Sequence, residues 1–143
     1  MLVRLLPSQV SNNWDVIAET IKRSLPPTQV WDDGVEERLL KAVYDGRLAC
    51  WVYVREKDVV CVVTTTISTD FCTGQKTLLI FSMYSILEMN QSEWFAGIDF
   101  LRKHAKSIGC VSLIAYTTNK SLGRVLREKV AANTEWILLK MEV

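Results

Sequence analysis

Apolar positions recur along this chain with two different periods, and each change of period predicts an element. Residues 2–6 are apolar apart from Arg4 and end at Pro7, which predicts an N-terminal strand. Ser11, Asn12 and Asn13 offer N-caps, and Trp14, Ile17, Ile21 and Leu25 then recur at helical spacing until Pro26-Pro27 stops the helix. Asp32-Asp33-Gly34 opens a second helix with Val35, Leu39, Leu40 and Val43 on its apolar stripe, and Asp45-Gly46 ends it. From Ala49 to Arg55 the period falls to two, with Cys50, Val52 and Val54 set against Trp51, Tyr53 and Arg55. Glu56-Lys57-Asp58 reads as a turn, and Val59 to Thr69 is a β-branched run that completes a hairpin.

A polar loop, Asp70 to Gln75, leads to a third apolar strand at Lys76 to Ile86. Asn90-Gln91-Ser92-Glu93 has the form of a capping box, because a side chain at the cap and one three residues on can each satisfy the other's backbone N–H. The helix behind it carries Trp94, Ile98, Leu101, Ala105 and Ile108 on one stripe and stops at Gly109. Val111 to Tyr116 is a strand. Thr118 or Asn119 caps a last helix with Leu122, Val125 and Leu126 inward, Asn133-Thr134 is a turn, and Trp136 to Val143 closes with a strand. The order β-α-α-β-β-β-α-β-α-β describes an α+β chain with a mixed sheet.

Its 143 residues suit one domain spanning 1–143. An apolar share of 49% supplies a core and excludes a disordered chain, and a net charge of +1 argues against wrapping nucleic acid by bulk charge. No apolar run approaches the roughly 18–20 residues of a membrane span, and residues 1–7 lack a signal-peptide core, so a cytoplasmic setting without membrane contact is expected. Cys50, Cys61, Cys72 and Cys110 form no C-x-x-C pair, and the single histidine, His104, has no cysteine nearby in sequence. Reduced, buried cysteines and no metal site are expected.

The element order resembles the GNAT N-acetyltransferase superfamily over essentially the whole chain. Residues 109–129, G-C-V-S-L-I-A-Y-T-T-N-K-S-L-G-R-V-L-R-E-K, look like that family's fifth strand, asparagine-led turn and fourth helix. The resemblance implies a GNAT-like mixed sheet whose fourth and fifth strands splay around acetyl-CoA. It also implies a pyrophosphate seat on backbone N–H groups at the third helix, under the signature Q/R-x-x-G-x-G/A. The matching stretch here, residues 86–97, has no glycine before Gly97 and carries Glu88 and Glu93 instead. Many members also place a general-acid tyrosine seven residues after the turn asparagine. That position is Leu126, and the glycine that usually ends the helix aligns near Val130.

No catalytic, cofactor-binding or metal residue is therefore assigned, and no cofactor is expected. The expected function is that of a catalytically degenerate GNAT-fold protein that acts by binding. Resemblance to small divergent GNAT-like chains of bacteriophages and mobile elements implies an assembly or accessory role in the host cell or virion. Its partners would then be phage structural proteins or a second copy of the chain. One alternative is an acyl-CoA-dependent N-acetyltransferase with an atypical phosphate loop. It would use direct amine attack on the thioester, with a fourth-strand N–H polarising the carbonyl.

A second alternative rests on charge. Arg102, Lys103, Lys106, Lys120, Arg124, Arg127 and Lys129, against Glu128 alone, make 101–129 strongly basic, a face suited to nucleic acid or an acidic protein. The same residues also suit two solvated helix faces. Asp32, Asp33, Glu36 and Glu37 suit a helix N-terminus electrostatically. Ser82, Tyr84, Ser85, Tyr116, Thr117 and Asn119 would line the splayed groove or merely satisfy strand ends. Alternation leaves open whether Ser82 and Tyr84, or Met83 and Ser85, face inward. His104 reads as a boundary residue rather than a general base, since no triad partner sits at a fixed spacing. Phe100 and Trp31 read as exposed aromatics, and Trp136–Val143 as an edge for self-pairing.

Overall fold

The computed structural model describes residues 1–25, 29–117, 120–133 and 141, with backbone only at Ser121 and Leu122. Within them the order is β1 (Leu2–Arg4), α1 (Pro7–Asn12), α2 (Trp14–Ser24), α3 (Val35–Tyr44), β2 (Leu48–Arg55), β3 (Asp58–Thr69), β4 (Lys76–Ser85), α4 (Gln91–Ser107), β5 (Cys110–Ala115) and α5 (Lys120–Val130). The expected stops and caps at Pro26-Pro27, Thr118 and Asn119, the inward side chain of Leu122, the turn at Asn133-Thr134 and the strand Trp136–Val143 lie wholly or partly outside the described residues.

The five strands form one mixed sheet in the order β1-β2-β3-β4-β5. The first three pairings are antiparallel and β4–β5 is parallel, joined by the crossover helix α4. Strand alternation divides the core in two. Trp51, Tyr53, Cys61, Val63 and Ile80 pack with Leu101 of α4 on one face. Cys50, Val52 and Val62 pack with Val10, Ile17, Ile21 and Val43 of α1–α3 on the other. Leu101, Ile21 and Val60 are essentially without solvent contact, and each such side chain contributes about 1.5–3 kcal/mol through burial.

Where one N-terminal helix was expected, there are two. Pro7 starts α1, since its missing N–H costs nothing in a first turn, and the Gln9 side chain accepts the Leu6 N–H at 2.8 Å. Asn13 then breaks the helix. Its side-chain amide donates back to the Gln9 carbonyl at 2.9 Å rather than capping forward, so the expected forward cap is absent. The capping box of α4 forms as expected, with Asn90 Oδ1 accepting the Glu93 N–H at 2.9 Å and Glu93 Oε2 accepting the Asn90 N–H at 3.0 Å. Gly46 and Gly109, with φ of 73° and 79°, take the left-handed turns that follow α3 and α4.

Two features of β4 shape the sheet beyond its regular part. The β3 register steps from Thr64–Ser82 to Thr65–Ile80, which leaves Phe81 as the extra residue of a bulge. The β4–β5 register ends at Ile80–Ala115, while β4 stays paired with β3 as far as Ser85. The two strands therefore part after Ile80.

Candidate functional site

The parting of β4 from β5 and the N-terminus of α4 lie on one continuous stretch, residues 80–93, and meet at the end of β2. The bulge settles which β4 side chains face which way. Phe81 packs with the cluster under α1–α3, and Ser82 is buried against Thr64, hydroxyl to hydroxyl. Tyr84 faces the same side, where its hydroxyl accepts from Arg23 at 3.3 Å and its ring lies 5.9 Å from that guanidinium. Met83 packs on the α4 side with Met89. Of the residues expected to line the groove, then, Ser82 is spent on Thr64 and Tyr84 on Arg23. Tyr116 is exposed, Thr117 lies beyond the end of β5, and Asn119 is outside the described residues.

The α4 N-terminus carries partial positive charge and free N–H groups in its first turn, so it is the place where an anion would sit. Here the chain supplies its own anion. The Glu93 carboxylate receives the Asn90 N–H and a two-pronged clamp from Arg55, Nε to Oε1 and Nη2 to Oε2, both at 2.6 Å. The same Nη2 donates to the Glu88 carbonyl at 2.8 Å and pins the loop before the helix. The Glu93 side chain is 12% exposed and that of Arg55 42%. Arg55, then the Asn90 N–H, hold the Glu93 carboxyl down at about 2. The Ser92 hydroxyl is also engaged, donating to Asn90 Oδ1 at 2.6 Å, while the N–H groups of Gln91 and Ser92 take no partner among the described residues.

On charge alone Glu93 would oppose an anion at this helix end. The geometry corrects that picture, because Arg55 balances the charge and the obstruction is occupancy. A diphosphate would have to displace a carboxylate held by three hydrogen bonds. No glycine opens residues 86–96 to a close backbone approach, and Met89 fills the α4 side of the loop by packing into the core. Gly97 lies in the middle of α4 beside an apolar cavity of about 20 Å³, room for roughly one water, lined by Tyr53, Cys61, Met83, Met89 and Trp94 among others.

The remaining candidates are accounted for singly. The His104 ring packs edge-on against Trp51 at 4.8 Å, and burial, then the Arg4 charge, hold its pKa below the ordinary value. Phe100, read as an exposed aromatic, is exposed, and its ring also meets Trp51 edge-on at 5.9 Å. Trp31, read likewise, is half-buried against the second core cluster, with Lys22 over its ring at 5.9 Å. Neighbouring elements reach both rings in space. Among the basic residues Lys103 is paired with Asp99 at 2.6 Å, and the others of α4 and α5 are exposed. Cys50 and Cys61 are buried as expected, and burial pushes their thiols up to about 12 and about 11. Cys72 is exposed and Cys110 half-buried, contrary to a uniformly buried set, because one lies in the polar loop and the other at the first position of β5. Among the described residues no three His, Cys, Asp or Glu gather to hold a metal ion, and no helix is long and apolar enough to cross a membrane.

Solved structures of acetyltransferases share this architecture over almost their whole length. A ribosomal-protein-alanine N-acetyltransferase from Brucella melitensis biovar Abortus 2308 superposes with a TM-score of 0.68 at 17% identity, covering 100% of this chain and 99% of that one. The fold is the GNAT fold. Glucosamine-6-phosphate N-acetyltransferase from Arabidopsis thaliana matches with a TM-score of 0.67 at 18% identity, over 99% of this chain and 97% of that one. An aminoglycoside acetyltransferase from an uncultured soil metagenomic sample, in complex with sisomicin, gives 0.71 at 13% identity over 100% and 95%. No family model and no curated protein sequence matches the chain. At these identities the likeness establishes the GNAT fold and leaves the chemistry to the site itself.

Arg55 is the site residue that sequence reasoning missed. It ends β2, 38 positions before Glu93, and read only as the polar phase of an alternating strand. A lone arginine at a hairpin end gives no signal that it reaches a helix N-terminus elsewhere.

Proposed function

We propose that this chain is a GNAT-fold protein that has given up the acyl-CoA pyrophosphate seat and works by binding a protein partner. The observation that carries the reading is the Glu93 carboxylate, clamped by Arg55 at the N-terminus of α4 where the fold would seat the diphosphate. Residues 86–97 do not fit that group. At the position of the family's general acid, Leu126 has no proton to donate. The setting expected from resemblance, a phage or mobile-element assembly or accessory protein, agrees with a chain that acts by binding and is carried by no residue of the site.

An N-acetyltransferase with an atypical phosphate loop is the second reading. Two observations favour it, the parting of β4 from β5 and the N–H groups of Gln91 and Ser92, which take no partner among the described residues. Calorimetric titration of the whole chain with acetyl-CoA, at low and at moderate salt, decides between them. Absence of binding up to about millimolar, roughly −4 kcal/mol, is the expected result. Micromolar binding overturns the proposal and directs attention to an amine acceptor.

A further inference from the structure

We draw no further inference here: the strongest candidate, the surface patch of exposed Lys120, Arg124 and Arg127 along one face of α5, carries nothing because no observation in the structure shows what covers it.

Discussion

Gly97 is the one glycine in the 86–97 stretch, and its place in the structure gives it no loop to shape. It lies inside α4 with backbone geometry open to any residue, beside the apolar cavity. A Cβ built there meets one atom within 4 Å, Tyr53 Cδ2 at 3.9 Å, which is ordinary van der Waals contact. Gly97→Ala should therefore stabilise the fold. Helix propensity supplies about 0.9 kcal/mol. A methyl group buried by about half adds roughly 0.4 kcal/mol. For 143 residues the unfolding entropy is roughly 0.3 kcal/mol per degree, so the sum of about 1.3 kcal/mol raises Tm by about 4 °C. Gly123→Ala in α5 is the control, because a Cβ there meets nothing within 4 Å among the described residues and only the propensity gain of about 0.9 kcal/mol applies. Thermal melts and urea titrations of both variants measure the two contributions. A Gly97→Ala protein that is destabilised, or that gains less than Gly123→Ala, would refute the packing argument. It would mean that residue 97 needs to be bare, as it would if a ligand approached the helix there.

Three further outcomes follow from the site and its surroundings. Glu93 is ionised in the fold down to about pH 2 against an ordinary value of 4.5, so its contribution is full above 4.5 and fades as pH falls toward 2; the stability advantage of the wild type over Glu93→Gln, measured by urea titration, should shrink over that window. His104 is the single histidine, so its ring proton resonance is unambiguous and should titrate below 6.5. Its neutral form is favoured by the fold, and the stability it contributes is present above 6.5 and declines as pH falls. A thiol reagent at neutral pH should label Cys72 at once and Cys110 more slowly, with Cys50 and Cys61 reacting only in denaturant. Fast labelling of four thiols in the native chain would contradict the burial of Cys50 and Cys61.

The features legible in the sequence are those decided within a few residues. Asn90 and Glu93 cap each other across three positions, so the α4 terminus and its carboxylate were readable, as was the hairpin of β2 and β3 from its alternation. The order of elements pointed to the GNAT fold because periodicity is a local quantity. Tertiary structure decided the rest. The partner of Glu93 comes from Arg55 across the sheet, and no local pattern encodes a contact between residues 38 apart. The orientation of Ser82, Met83, Tyr84 and Ser85 depends on one inserted residue, Phe81, since a bulge shifts the count by one and inverts every side chain after it. The point at which β4 and β5 part depends on where their pairing ends, at Ile80 and Ala115. That is a matter of register between two strands joined through α4, and it is set by packing of the helix on the sheet rather than by either strand alone.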